Sequence, residues 1–118
     1  MFEVTNGIIR VHRKNTGTIY IKKKNYTFQV GDIVTITVKR ALGLTEILIK
    51  KEIKVTEAKE KIEIRFESED TDIEQGDYFY DIKIDYANGD KSTVIYPPGD
   101  QSGRYTPNFF ILGVVNDE

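Results

Sequence analysis

Few side chains in this sequence have the types and spacing that chemistry requires. His12 is the only histidine, and there is no cysteine. Zinc sites are assembled from Cys and His, so no zinc site is expected, and disulfide or thiolate chemistry has no residue to work with. Carboxylates are plentiful. Glu67, Glu69, Asp70, Asp72, Glu74 and Asp77 crowd one short segment, a composition that calcium can use. The spacing lacks the glycine and the terminal bidentate acid of an EF-hand loop, so the expected role is a solvated acidic turn, with no metal ligand assigned. Asp81, Asp85 and Asp90 imitate paired carboxylates. However, Asp81 and Asp85 stand four residues apart, about 13 Å along a strand, more than glycoside hydrolysis allows. No Ser or Thr has a base partner that the sequence can nominate. The expectation is therefore no catalytic residue, no cofactor and no enzymatic activity.

The residue types that recognise partners are better represented. Lys22, Lys23 and Lys24 lie between Tyr20 and Tyr26, the mixture found in single-stranded nucleic-acid grooves. The run is short and the net charge is −2, so a lysine-protected strand edge or bend accounts for it better than a nucleic-acid partner. The stretch Pro97–Pro107 is too rich in Pro and Gly to sustain a ladder and longer than ordinary hairpin loops. It carries Arg104 and Tyr105, types enriched at binding hot spots, and it is followed by Phe109 and Phe110. Neighbouring residues of a strand face opposite ways, so one phenylalanine must leave the core. Arg104, Tyr105, Phe109 and Phe110 are the candidate interface residues.

The elements that would position these groups are strands. Tyr78, Tyr80, Ile82, Ile84 and Tyr86 alternate with Asp77, Asp81, Lys83 and Asp85, which predicts a long half-buried strand. Asn88-Gly89 then turns it into a hairpin with Lys91–Tyr96. Val34, Ile36 and Val38 mark a second strand within 33–40, and Ile62, Ile64 and Phe66 a third. Shorter strands are expected at Phe2–Val4, Ile8–Arg13, Thr18–Lys22 and Tyr26–Val30, with turns at Asn6-Gly7 and Asn15–Gly17. Ile47 to Val55 reads as one or two strands with a kink near Lys50–Glu52. Ser68–Ile73 is an acidic linker with room for one helical turn capped by Ser68 or Asp70, and Asn108–Val115 is the closing strand. Gly76 and Tyr78 fit a tyrosine corner, in which the hydroxyl bonds back across the turn into the strand. About seven to nine short strands, without a convincing helix, predict an all-β antiparallel sandwich filling one domain, residues 1–118.

The totals agree. The 118 residues suffice for one core. The start carries neither a basic segment nor a long apolar run, so no signal peptide is expected, and the short apolar runs exclude a transmembrane helix and a membrane partner. Charge is unevenly spread: residues 1–65 hold 14 Lys/Arg against 7 Asp/Glu, and residues 66–118 hold 3 against 12. If the fold keeps the two halves apart, head-to-tail stacking of copies is favoured.

From Ile73 through Gly76-Asp77-Tyr78-Phe79-Tyr80-Asp81-Ile82 the chain resembles the immunoglobulin-like N-terminal domains of phage upper baseplate proteins and related single-domain prophage structural proteins. Gly17-Thr18-Ile19, Val34-Ile36-Val38, Ile47-Ile49-Lys50-Lys51, Asp70-Thr71, Asn88-Gly89 and Thr93-Val94 follow that pattern in order. The likeness spans roughly residues 15–115, and the Tyr-x-Tyr-Asp-Ile core is its most specific part. The chain departs at Pro97–Pro107, an insertion where the family passes quickly to its last strand. The resemblance implies an immunoglobulin-like sandwich, with Gly76, Tyr78, Tyr80, Asn88 and Gly89 as its structural motif. It implies a non-enzymatic virion protein of the tail or baseplate, made in the bacterial host cytoplasm, whose partners are other virion proteins or copies of itself. The other class to weigh is a carbohydrate-binding or adhesin-like module, with Tyr20, Tyr26, Tyr105 or Phe110 stacking on sugar rings.

Overall fold

A computed structural model describes residues 1–99 and 101–113. Nine strands appear in order: β1 Phe2–Thr5, β2 Ile8–His12, β3 Gly17–Lys22, β4 Ile33–Lys39, β5 Ile49–Lys54, β6 Lys61–Phe66, β7 Gly76–Asp85, β8 Lys91–Ile95 and β9 Phe109–Leu112. No helix occurs among the described residues. The fold is an all-β sandwich. One layer follows the path β1-β2-β9-β7-β4-β5, with β8 also on β7; the other is the pair β3-β6.

Alternation fixes which way each strand faces. Val34, Ile36 and Val38 of β4, Ile62, Ile64 and Phe66 of β6, and Tyr78, Tyr80, Ile82 and Ile84 of β7 are all buried between the layers. Ile19 and Ile21 of β3 join them, as do Ile9 and Val11 of β2. At about 25 cal/mol per Å² of apolar surface, burial of this single cluster is the main favourable contribution to the fold. β7 is its centre. It pairs antiparallel with β4 from Lys39↔Phe79 to Ile33↔Asp85, while its other edge carries β9 at Gly76–Tyr78 and β8 at Ile82–Asp85. Asn6 (φ 51°) and Gly7 (φ 78°) both adopt the left-handed conformation that a two-residue hairpin demands, joining β1 to β2.

Four expectations need correction. The sandwich is not purely antiparallel: β2 runs parallel to β9, Ile9 beside Phe109. These strands come from opposite ends of the chain, so no tight turn imposes direction. Tyr26–Val30 is not a strand. Phe28 is buried and makes one isolated bridge to Lys59, and Val30 is exposed. β5 runs without a break through Lys50–Glu52, in register with β4. The acidic linker holds a turn rather than a helical turn: the Asp70 N–H donates to the Glu67 carbonyl (3.0 Å) and the Glu67 N–H to the Asp70 carboxylate (2.7 Å).

Candidate interaction surface

The corner that starts β7 is built as the sequence suggests. The Tyr78 side chain is buried, and its hydroxyl donates to the Glu74 carbonyl four residues upstream. A Cβ on Gly76 would lie 3.6 Å from that ring and hydroxyl, an ordinary contact, so the corner's geometry does not itself demand glycine there. Tyr80, two residues on, donates to the Gly7 carbonyl at 2.5 Å and ties β7 to the first hairpin. Burial pushes its phenol up to about 12. At the far end of the strand, the Tyr86 carbonyl accepts from Gly89 (2.9 Å) and the Tyr86 N–H donates to the Asp90 carbonyl (2.8 Å), closing the Asn88-Gly89 turn.

Along the outer edge of β7 the ladder is interrupted. β8 and β9 occupy the same edge end to end, and between them the chain leaves at Tyr96 and returns at Asn108. Asn108 is buried, and its amide fills the gap: the Tyr80 N–H donates to Oδ1 (2.8 Å) and Nδ2 donates to the Tyr80 carbonyl (3.0 Å). The Asn108 N–H donates to the Tyr78 carbonyl (3.1 Å), and its carbonyl accepts from Ile9 (3.0 Å). One side chain thus replaces a rung of the ladder and allows Pro97–Pro107 to leave the edge strand. The excursion holds itself together by a bridge between Gly99 and Tyr105 and by the Thr106 N–H donating to the Pro98 carbonyl (2.7 Å).

The candidate interface residues divide. Arg104 and Tyr105 lie on the excursion and are exposed, Tyr105 by 53%. Phe109 does not reach the surface. It faces Tyr78 across the ladder, is fully buried, and packs on Phe66 and Tyr80 at ring distances of 6.3 and 6.0 Å. Phe110 takes the outward place and is half-covered by the Arg10 guanidinium, 5.4 Å from its ring centroid. The β4–β5 loop was missed as a site. Leu42 and Gly43 share a small hollow with Pro97 at the base of the excursion, and Leu42, Leu44 and Ile47 are each 45–46% exposed. Together with Tyr96 and Tyr105, these two adjoining loops carry five of the nine large hydrophobic side chains exposed among the described residues. The sequence offered a signal in Ala41-Leu42-Gly43-Leu44, an apolar loop where polar residues are usual.

The other candidates are held apart or occupied. Tyr20 points outward from the two-stranded layer, where Lys61 Nζ lies 4.8 Å from its ring, whereas Phe110 faces outward from the opposite layer. Tyr26 is partly buried and donates to the Asp32 carboxylate at 2.5 Å. Tyr20, Tyr26, Tyr105 and Phe110 therefore form no common stacking platform. Asp32, itself buried, accepts in addition from the N–H groups of Gln29 and Ala87, both at 2.9 Å. Burial works to raise its pKa, but these three hydrogen bonds hold it below the usual carboxylate value. Burial first, and then the bond to Asp32, push Tyr26 up to about 12. In the acidic segment, Asp70 pairs with Lys51 (2.6 Å), Asp72 with Arg13 (2.9 Å), Glu67 with Arg65 (3.2 Å) and Glu74 with Arg40 (3.8 Å). Among the described residues, no group of three or more His, Asp or Glu could hold a metal ion.

Comparison with protein-family models, curated proteins and solved structures finds no significant match.

Proposed function

We propose that this chain is a non-enzymatic structural component of a phage or prophage tail, placed at the baseplate, that works by packing against other virion proteins or copies of itself. The carrying observation is the apolar surface on the 40–48 and 96–107 loops. Contiguous exposed apolar side chains mark protein interfaces more than isolated ones do, and Tyr and Arg are the types that supply binding energy there. The excursion bearing Arg104 and Tyr105 is rooted by Asn108 in the centre of the fold, which limits the ordering cost on association. Support for the particle type comes from the resemblance at Gly76–Ile82. The corner, the Asn88-Gly89 turn and a last strand running parallel to an early one suit an immunoglobulin-like domain.

The deciding experiment is mass spectrometry and immunogold labelling of tail particles released from the source bacterium after prophage induction. Stoichiometric recovery in particles, with label at the tail tip, is expected. Absence from particles, together with a concentration-independent monomer in sedimentation, overturns the proposal.

A further inference from the structure

The two halves of the chain are oppositely charged, yet the fold does not separate them. Three ion pairs distant in sequence, Arg13–Asp72, Arg40–Glu74 and Lys51–Asp70, and the local pair Arg65–Glu67 each join a cation of the first half to an acid of the second. Arg13–Asp72 and Arg40–Glu74 lie toward the end of the sandwich where β7 begins, and Lys51 reaches Asp70 from the middle of β5. At the other end Lys91 pairs with Asp85, Lys23 donates to the Tyr86 hydroxyl (2.6 Å) and Lys61 lies over the Tyr20 ring, but a group of lysines has no carboxylate partner. Lys22, Lys23, Lys24, Lys54, Lys59 and Lys61 make no ion pair with any described residue. They line two contiguous hollows of about 810 and 570 Å³ that share Lys22 and Glu60.

The larger hollow has the form of a slot between two strand edges. Among the described residues, β5 pairs only with β4, and β6 only with β3. Consecutive residues of a strand face opposite ways, so a run of them can line one groove only along the backbone edge. Lys61, Ile62 and Glu63 of β6 do this on one side, and Ile53 and Lys54 of β5, continued by Val55, on the other. Val55 and Ile62 are buried beneath, giving the slot an apolar floor. Alternate N–H and C=O groups of an edge strand have no sheet partner, which makes such an edge a template for a further strand.

We propose that this slot binds an extended acidic segment of a partner protein, which adds as a strand beside β6. Its aliphatic residues would sit over Val55 and Ile62, and its carboxylates would meet Lys22, Lys54, Lys59 and Lys61, which outnumber Glu60 and Glu63 on the same rim. Lysines on an edge repel indiscriminate apolar or basic strands; a strand of alternating acidic and aliphatic residues is the class they admit and retain. The inference rests on the packing role proposed above and names the chemistry of one partner.

The test is an amide-resolved NMR titration of the whole chain with a synthetic peptide of alternating Glu and Val. Saturable shifts at Ile53–Val55 and Lys59–Glu63 are expected, weakening as salt rises. The variant carrying Lys59→Glu and Lys61→Glu should bind about tenfold more weakly or worse, with unfolding unchanged because both side chains are exposed. A Lys-Val peptide should not bind, and a central proline in the Glu-Val peptide should abolish binding, since it cannot complete a ladder. The inference is overturned by an absence of saturable shifts. It is equally overturned if the proline peptide or inorganic polyphosphate binds as well as the Glu-Val peptide, because charge alone then accounts for the effect. A chain present in tail particles but blind to the peptide loses only this inference. One that binds the peptide but is missing from particles loses only the tail assignment.

Discussion

Replacing Asn108 by alanine removes the only described partners of two backbone groups in the middle of the central strand. The Tyr80 N–H and carbonyl face away from β4 and receive Oδ1 and Nδ2 of Asn108 at 2.8 and 3.0 Å. Each buried backbone group left unsatisfied costs about 1–3 kcal/mol, so Asn108→Ala should cost about 2–5 kcal/mol. Against a total stability of roughly 5–15 kcal/mol for a domain of this size, that is a large fraction. At about 4 °C per kcal/mol the midpoint should fall by roughly 10–20 °C. The assay is urea unfolding followed by circular dichroism and tyrosine fluorescence. Asn108→Asp is the sharper variant. A carboxylate can still accept from the Tyr80 N–H, but its second oxygen would face the Tyr80 carbonyl, so the acid must be protonated to fit. Its folded pKa would then lie above its unfolded value. The stability it contributes would be present below about pH 4 and lost as pH rises through the folded value. Asn108→Asp should therefore gain on the native sequence as pH falls from about 7 to 4. A loss under about 1 kcal/mol in Asn108→Ala, or a pH-independent penalty in Asn108→Asp, would refute the assignment of the amide as a replacement rung.

Tyr78→Phe keeps the ring and deletes the bond to Glu74; a loss of about 1–1.5 kcal/mol in denaturant unfolding is expected. Asp32 has its carboxyl held below its ordinary value of 3.8, so its stabilisation is present above that value and lost as pH falls through the lower folded one. Asp32→Asn should lower the urea midpoint near neutral pH and leave it unchanged at the acid limit. Tyr80, raised from 10 to about 12, favours the folded state below pH 10, and this contribution, on the order of 2 kcal/mol, should disappear as pH rises toward 12 and be absent in Tyr80→Phe. Leu42→Ser with Tyr105→Ala should change stability by no more than about 0.5 kcal/mol, because both side chains are exposed, while reducing recovery of the chain in tail particles.

Much of the fold was legible because a period of two is a local signal. Val34, Ile36 and Val38, Ile62, Ile64 and Phe66, and Tyr78 to Ile84 each declare their buried face within one strand. Asn6-Gly7 and Asn88-Gly89 announce turns: both residues of the first pair and the glycine of the second adopt the left-handed backbone that Asn and Gly tolerate. The corner role of Tyr78 needed only its distance from the turn before it. The site was less legible. The excursion could be delimited from Pro97 and Pro107, and Tyr105 was named as a candidate interface residue, but the adjoining loop of Leu42, Leu44 and Ile47 was not anticipated.

Alternation says which way a side chain faces and nothing about which strand lies beside it. For that reason the parallel union of β2 with β9 was decided only in three dimensions, as was the end-to-end sharing of one β7 edge by β8 and β9. Of Phe109 and Phe110, one had to turn inward; the register of β9 against Tyr78 selected Phe109. In the sequence Asp32 lies between two expected strands and Asn108 at the start of the closing one. Their work as acceptors and donors depends on groups 55 and 28 residues away. The charge imbalance between the halves was plain in the composition, but the chain folds the halves through one another. Which cations are neutralised and which are left to line a slot follows from packing over long sequence separations, a quantity no local pattern contains.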